Sequence, residues 1–463
     1  MTKTTSTPRI RKVRRRSAGG KPAGGWELQR AGRRIRRADV RRLRFGEPDE
    51  KLTSVGGLVS FNAFVGELGV PRELHRRFDR LKEGWRVVYP MAAQMQLLVD
   101  ASVAGAQRVF DLEMLAADPL FRHLAGGSVP SIDALYDDLR RFDAQSLEDL
   151  EAMVADHGTA PLRALRLRDV FVDIDTTVTP LFGEQEGARL GPNPRYHARP
   201  SYHPILARIA ETGTLLGARL RPGDRGLGES DVEDIEQWMD RIRGAAGKKA
   251  LVTVRIDAGG DSTPLLSAID RKGACFLVKM RQTSNLVSAV ARTKTWRTVD
   301  RDAFGNPTRQ VAEIAFQRED WPKGQWRVFA VRTNERLSGK QACLWDELEF
   351  SVHVYATNDT ACDADELARR YDKRAGIEPV IGELKSSFGI GKVSTDTFDA
   401  NEAGFLIKLL AFNLLRRWAQ QRCGTVAAFR TPWVRRICVH IPGRLLRSQG
   451  RWELRLAPRP MLN

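Results

Sequence analysis

The spacing of hydrophobic positions predicts helices in the part of the chain between residues 51 and 160. Apolar residues recur there three and four positions apart in short segments such as SFNAFVGELG and YPMAAQMQLLVDASVAG. This spacing places apolar side chains on one face of a helix with about 3.6 residues per turn. The last of these segments runs from Ile132 to Phe142, and Ser131 is suited to cap its N-terminus.

Beyond residue 160, runs of β-branched residues predict strands that alternate with helices. The segments VFVDIDTTVTPLF, at 170–182, and ALVTVRIDAGGDS, at 250–262, are both typical of strands. Between them, two apolar runs around a Glu-Thr-Gly-Thr turn predict a hairpin, and a helix follows that Ser230 opens. Residues 281–350 contain alternating segments such as QVAEIAF, which predict more strands. The pattern indicates an α/β protein of several domains.

Charge adds a second kind of information, because it concentrates at the two ends of the chain. The 463 residues carry a formal net charge of +18. Residues 1–45 hold 16 Lys and Arg against 2 acids, and residues 421–463 hold 9 Arg against 1 acid, so the middle is slightly acidic. Basic ends around such a middle favour arms that lie on a polyanion such as DNA.

The first 50 residues contain few apolar side chains, so we expect a disordered arm that contacts DNA; a solubilising tail is the alternative. The arm's candidate DNA contacts are Arg14, Arg15, Arg16, Arg33 and Arg34.

The five cysteines are scattered without a Cys-x2-Cys pair, which indicates neither a disulfide framework nor a zinc site and fits a reducing cytoplasm. No apolar run reaches the roughly 18 residues of a membrane-spanning helix.

Acidic residues stand at two of the predicted strands. Asp173 and Asp175 are two positions apart, so both side chains point to the same side of a strand. Two acids in an apolar strand are costly unless a cation compensates them, and a divalent ion would do so; an edge strand with solvated acids is the alternative. Asp257 ends the next such strand before Gly259 and Gly260, where open α/β sheets place ligand groups.

A third group of polar residues lies in YDKRAGIEPVIGELK, with the spacing Tyr371-x2-Arg374-x3-Glu378-x6-Lys385. On one continuous helix these four would fall within an arc of roughly 60°. The cations could then grip phosphate while the carboxylate holds a metal ion. Pro379 predicts a kink or a restart of the helix, which would place the first two residues on a different segment from the last two. A surface helix with mixed charges is the alternative.

This block resembles the Tyr-Arg-Glu-Lys signature of insertion-sequence transposases with an RNase H-like DDE core, and it matches all four residue types and all three gaps. The segment at 255–259 is similar to the family's second catalytic block, Arg-x-Asp followed by small residues. The family's first Asp is typically followed by Thr, so the resemblance favours Asp175 and leaves Asp173 in reserve. It implies that Asp175, Asp257 and Glu378 are the catalytic metal ligands. If Glu378 proved dispensable for cleavage, Glu383 would be the candidate for the third ligand.

The resemblance also implies an activity. A bacterial cut-and-paste transposase would use two Mg²⁺, or Mn²⁺ in their place, to cut double-stranded DNA at terminal inverted repeats and join the ends to target DNA. It would act as a homodimer on DNA in the cytoplasm, at the nucleoid, with Tyr371, Arg374 and Lys385 contacting DNA. The alternatives are a catalytically inactive DNA-binding protein derived from such an element and a Mg²⁺-dependent nuclease without strand transfer.

The predicted domain order follows from pattern and resemblance together. An RNase H-like mixed sheet flanked by helices would be built from residues 161–280 and 351–420, and a β-rich insertion at 281–350 would interrupt it. A DNA-contacting arm (1–50) and a helical end-binding domain (51–160) would precede this core, and a basic tail (421–463) would follow it.

Two of these regions carry further candidates for contact with DNA. The segment from Ile132 to Phe142 is the candidate recognition helix, with Arg140 and Arg141 toward phosphates; a purely structural helical layer is the alternative. In the family the insertion helps to handle the hairpin or the flipped base at the transposon end. Its tryptophans could stack on such a base, or they could form a small core. They are Trp296, Trp321, Trp326 and Trp345.

Overall fold

The computed structural model describes residues 28–30, 33–35, 44, 46–191, 197–247, 249–334 and 350–458. The chain separates into two compact units, Met1–Glu50 and Lys51–Asn463. In the first unit, strands β1 (Leu28–Arg30) and β2 (Arg33–Ile35) pair antiparallel, a hairpin that the sequence pattern does not predict. Arg33 and Arg34 lie in β2, whereas Arg14, Arg15 and Arg16 lie outside the described residues.

The second unit begins with a short strand, β3 (Leu52–Thr53), followed by helices. These helices are α1 (Leu58–Glu67), α2 (Val70–Phe78), α3 (Met91–Ala104), α4 (Leu112–Ala116), α5 (Pro119–Leu124), α6 (Ile132–Leu139), α7 (Ala144–Thr159) and α8 (Leu162–Leu165). The Ser131 hydroxyl accepts a hydrogen bond from the Ala134 amide at 3.2 Å, so Ser131 caps α6 as predicted.

Strands and helices then alternate. The strands are β4 (Asp169–Thr176), β5 (Thr179–Pro180), β6 (Ser201–Tyr202), β7 (Ile205–Ile209), β8 (Leu215–Arg219), β9 (Leu251–Ile256), β10 (Cys275–Lys279), β11 (Arg297–Arg301), β12 (Pro307–Ile314), β13 (Arg327–Asn334) and β14 (Phe350–Thr357). The helices among them are α9 (Val232–Ala246), α10 (Thr263–Arg271) and α11 (Ser284–Arg292).

Within the described residues, nine of these strands form one mixed sheet in the order β11-β12-β13-β14-β10-β9-β4-β7-β8. Strands β4, β9 and β10 run parallel, and the other neighbours pair antiparallel. The predicted hairpin is confirmed as β7 and β8. The helix after it begins at Val232 rather than at Ser230, because a 3-10 turn (Glu229–Asp231) precedes it. The chain is therefore an α/β protein around a large mixed sheet.

The β-rich segment at 281–350 continues the central sheet instead of forming a separate layer. Strand β14 pairs with β13 on one side and with β10 on the other, where Leu277 faces Thr357.

Trp321 and Trp326 are only 3% and 4% exposed and pack with their ring centroids 5.3 Å apart. These two tryptophans are core residues, which is the alternative given above; Trp296 is half-buried under Arg332, and Trp345 lies outside the described residues.

The last part of the chain supplies a long buried helix and a second, small sheet. Its elements are α12 (Ala364–Asp372), a 3-10 turn (Lys373–Gly376), α13 (Ile377–Glu383), a π-helical turn (Leu384–Phe388), α14 (Phe398–Arg422), α15 (Thr431–Val434), a second π-helical turn (Arg435–Val439), β15 (Gly443–Ser448) and β16 (Arg451–Leu456). Strands β15 and β16 form a hairpin that pairs with β3, so this stretch of the predicted basic tail is folded. No helix in the described part of the chain is long and apolar enough to span a bilayer.

Helix α7 approaches strand β8 more closely than a side chain would permit. A Cβ atom added at Gly158 would lie 1.8 Å from the Leu215 carbonyl oxygen. The fully buried Asn413 of α14 joins the same contact, because its amide donates to the carbonyls of Leu215 and Val154 at 2.9 Å each. These contacts hold α7 and α14 against β8, which is the outermost strand of the large sheet on that side.

Gly158→Ala is therefore expected to lower the free energy of unfolding by about 1–3 kcal/mol, because overpacking forces a backbone shift. Urea unfolding of the purified protein measures this change. Gly244→Ala is the matched control: Gly244 also lies in a helix, and a Cβ there meets nothing within 4 Å. This control should be neutral or stabilising by up to about 1 kcal/mol. Equal stabilities for the two variants would contradict the prediction.

Candidate active site

Two predicted acids leave the sheet side by side. Asp175 lies near the end of β4, and Asp257 directly follows β9, the parallel neighbour of β4. The register pairs Ile174 with Ile256, so each acid comes one residue after this pair. The side chain of Asp175 is 16% exposed and that of Asp257 is 46% exposed. The sheet thus presents a half-buried and a more open carboxylate at one edge, where parallel strands end.

One cation lies between these carboxylates. A terminal guanidinium nitrogen of Arg374 is 3.2 Å from an Asp175 oxygen and 4.0 Å from an Asp257 oxygen, and it donates to the Ile174 carbonyl at 3.1 Å. The Arg374 side chain is 8% exposed, and its Nε finds no hydrogen-bond partner in the described part of the chain. Both acids therefore converge on a single positive group.

The charges at this site influence one another. The pKa of Asp175 is raised above its usual value, mainly by burial. Arg374 opposes this increase, and the negative charge of Asp257 adds to it. Burial also raises the pKa of Tyr371 to about 12, against the influence of Arg374. Tyr371 therefore keeps its proton at neutral pH and can act as a hydrogen-bond donor. Its ring packs against Tyr355 with the centroids 4.8 Å apart.

Asp173, the reserve candidate, has a different environment. Its carboxylate is fully buried and accepts from Arg255 Nε at 2.6 Å and from Arg208 at 3.0 Å. Arg255 also donates to the carbonyl of Arg370 in α12 at 2.5 Å. The interpretation of β4 as an edge strand with solvated acids is wrong, because β4 lies between β7 and β9. The geometry favours Asp175 as the accessible acid and gives Asp173 a role in holding strands together.

The third predicted ligand stands apart from the two aspartates. Glu378 lies in the first turn of α13 with an exposed side chain. Among the described residues, no group of three His, Cys, Asp or Glu side chains is close enough to hold a metal ion. Glu383 accepts hydrogen bonds from the amide, at 2.9 Å, and from the hydroxyl of Thr431, so it is tied to α15. The structure thus assembles Asp175 and Asp257 but not Glu378.

The helical segment that carries the four signature residues is interrupted, as predicted, but the interruption lies before Pro379. Helix α12 ends at Asp372, and a 3-10 turn carrying Arg374 precedes α13. Pro379 lies in the first turn of α13, where its missing N–H group costs nothing. Lys385 lies in the π-helical turn and donates to the Val178 carbonyl at 3.0 Å. Arg374, in the 3-10 turn, contacts the acids, whereas Glu378 lies on the following helix.

The arginines of the candidate recognition helix are engaged in ion pairs. Helix α6 ends at Leu139, one residue before Arg140. Arg140 contacts Asp396 at 2.9 Å and Asp137 at 3.2 Å, and Arg141 contacts Asp138 at 2.8 Å. A phosphate would have to compete with these acids.

Sequence reasoning missed one residue that shapes the site. Arg208 lies in the apolar strand β7 and reaches the buried Asp173. A signal for it was present, because a lone arginine in the apolar run Ile-Leu-Ala-Arg-Ile requires an acidic partner nearby.

Two of the residues present, Asp175 and Asp257, offer the oxygen atoms that a divalent cation binds. Carboxylate oxygens are the ligands that Mg²⁺ prefers in proteins. The Asp175 and Asp257 carboxylates already share one cation, the guanidinium of Arg374.

Comparison with known proteins identifies a family and a similar solved structure. A family model described as "Transposase DDE domain group 1" matches residues 37–460. A solved structure similar to the chain is the piggyBac transposase in a synaptic complex with hairpin DNA, at 11% identity and a TM-score of 0.41, over 82% of this chain and 79% of that one. No curated protein matches the chain. Because the family model spans most of its length, this protein belongs to the DDE transposases of that group.

Proposed function

We propose that this protein is the cut-and-paste transposase of a bacterial insertion sequence, which cleaves double-stranded DNA at terminal inverted repeats and joins the ends to target DNA. The observation that carries the proposal is the convergence of Asp175 and Asp257 on one cation at the ends of adjacent parallel strands. The strand order β8-β7-β4-β9-β10 supports an RNase H-like core: a strand with an acid, a hairpin, a helix and a second strand that ends in an acid.

We infer that Asp175, Asp257 and Glu378 hold two divalent ions, Mg²⁺ or Mn²⁺. Such ions would activate the attacking oxygen and stabilise the leaving 3′-oxygen. The chain's own residues contribute positive charge toward the DNA: Arg374 supplies it from its buried position between the two aspartates, and Lys385 supplies a point charge. Tyr371, which keeps its proton, donates a hydrogen bond to the DNA backbone.

The remaining regions have roles in the same proposal. The basic arm at 1–50 and the helices at 51–160 bind the transposon end, and the β-rich segment at 281–350 supports the DNA beside the cleaved bond. Residues 161–280 and 351–420 form the catalytic core, and the basic residues of 421–463 add contacts to DNA. Because two ends must be brought together, the protein acts as a homodimer on DNA, at the bacterial nucleoid.

Glu378→Gln is expected to abolish Mg²⁺-dependent cleavage of a DNA that carries the element's own terminal repeats, because the neutral amide lacks the negative charge by which a carboxylate binds Mg²⁺. Cleavage is followed on end-labelled DNA, with binding measured separately by gel shift. Glu383→Gln is the matched control: it makes the same chemical change five residues on, at a side chain bound to Thr431. This control should keep metal-dependent cleavage.

The outcomes separate the possible functions. Nicking at the repeat boundary by the wild type, lost in Glu378→Gln alone, would support the proposal and make strand transfer the next assay. Loss in Glu383→Gln but not in Glu378→Gln would move the third ligand to Glu383. Binding without cleavage by the wild type would indicate a DNA-binding protein that has lost catalysis, and cleavage without any strand transfer would indicate a nuclease.

A further inference from the structure

The turn that follows Asp257 is held by Arg281, which lies two residues beyond the end of the neighbouring parallel strand, β10. Arg281 Nε donates to the Ala258 carbonyl at 2.8 Å, and a terminal guanidinium nitrogen of Arg281 donates to the Gly259 carbonyl at 2.6 Å. The turn is short and begins at a candidate metal ligand. One exposed side chain thus fixes two successive peptide groups beside the site.

A buried acid makes this attachment firmer. The side chain of Asp261 is fully buried and accepts from the Arg281 amide at 2.8 Å and from the Arg318 guanidinium at 2.5 Å. Its other oxygen has no hydrogen-bond partner in the described part of the chain. Asp261 is not the N-cap of α10, a role that falls to Ser262. Asp261 therefore anchors the turn to two segments that follow β10 in the chain, those of Arg281 and Arg318.

The turn is also confined from its opposite face. A Cβ atom added at Gly260 would lie 2.3 Å from the Ile256 side chain and 2.6 Å from that of Leu227, so only glycine fits there. The Gly259 amide donates to an Asp257 carboxylate oxygen at 2.9 Å. Because Arg281 holds the carbonyl of Ala258, which lies in the same peptide plane as the Gly259 amide, it also limits the direction of this amide. The orientation of the Asp257 carboxylate therefore depends on Arg281 through one intervening peptide group, that between Ala258 and Gly259.

We propose that Arg281 and Asp261 are positioning residues that set the orientation of the Asp257 carboxylate, and through it the affinity of the site for divalent cations. The proposal rests on the proposed function, in which Asp257 is a metal ligand. Partners that orient a ligand from outside its coordination shell typically contribute 10–100-fold to metal affinity. Since Arg281 and Arg318 belong to the segment predicted to contact DNA, they also connect that segment to the catalytic edge of the sheet.

Arg281→Ala is expected to weaken Mn²⁺ binding about 10-fold in the full-length protein bound to terminal-repeat DNA, measured by electron paramagnetic resonance of free Mn²⁺. We expect kcat for cleavage to fall and KM for DNA to stay unchanged, because the lost contact orients a ligand and does not hold DNA. Arg281→Lys keeps the charge but can reach only one carbonyl at a time, so it should lie between the wild type and Arg281→Ala.

Arg243→Ala is the matched control. Arg243 is also exposed and also donates to two successive carbonyls, those of Lys272 and Gly273, at the far end of α10. Its loss should leave Mn²⁺ affinity and kcat unchanged. The comparison separates the positioning of Asp257 from a general loss of a turn contact, and a thermal unfolding scan of each variant verifies that it is folded.

Equal Mn²⁺ affinities for the wild type and Arg281→Ala would overturn the inference. A KM for DNA that rises in Arg281→Ala and returns to the wild-type value in Arg281→Lys would also overturn it, since that pattern belongs to a DNA contact. Failure of the proposed function has a different signature: a wild-type protein that binds Mn²⁺ but never cleaves DNA, with weakened Mn²⁺ binding in Arg281→Ala, would refute the transposase activity and leave the positioning role intact. Should Arg281→Ala fail to fold, Arg281→Lys decides the question alone by the same Mn²⁺ titration.

Discussion

Asp175→Asn is expected to reduce metal-dependent DNA cleavage by at least about 10³-fold while the protein remains folded. Removal of a residue that acts as part of a catalytic unit typically costs this much or more. The amide keeps the shape of the side chain and can still accept a hydrogen bond from Arg374, which lies 3.2 Å from the carboxylate. Cleavage is measured on terminal-repeat DNA under single-turnover conditions, and circular dichroism reports the fold.

Asp169→Asn is the control for this prediction. Asp169 begins the same strand, β4, and its side chain is exposed at the end of the strand away from Asp175. The same chemical change there should leave cleavage at the wild-type rate. Full activity in Asp175→Asn would contradict the prediction and remove Asp175 from the list of metal ligands.

Asp173→Asn is expected to have its main effect on stability instead. The change leaves the guanidinium groups of Arg255 and Arg208 without their buried acid, and breaking a buried ion pair by removal of one partner typically costs about 3–5 kcal/mol. Urea unfolding should therefore show a large loss for Asp173→Asn and a smaller one for Asp175→Asn. A stable Asp173→Asn protein that fails to cleave DNA would reverse the assignment and make Asp173 the ligand.

This pair of aspartates shows where the sequence stops being informative. Alternation along the strand places both acids on one side, and it does so correctly, but it contains nothing that separates them. What separates them is the arginines that reach each acid: Arg208 and Arg255 from neighbouring strands for Asp173, and Arg374 from a turn some 200 positions along the chain for Asp175. Such partners come from tertiary packing, and one sequence does not record them.

Local features were predictable because local residues determine them. The β7–β8 hairpin follows from its turn residues, and the cap at Ser131 from its hydroxyl. The sequence also predicted an interruption near Pro379, and the structure places it in the turn Lys373–Gly376, whose Arg374 donates to the Ile174 carbonyl of β4. The strands of residues 281–350 were likewise foreseeable, whereas their pairing with β10 was not, because strand partners are chosen by distant parts of the chain.

The continuity of the sheet restricts how this protein could be shortened. A minimal enzyme made by deletion of residues 281–357 would leave β10 as a bare edge, with the backbone groups that now pair with β14 unpaired. Retaining β14 alone would move that edge outward and uncover Val354 and Ala356, which are now buried. Exposed apolar edges recruit other chains and promote aggregation. A useful truncation therefore has to keep the antiparallel strands or replace their cover with charged residues or proline.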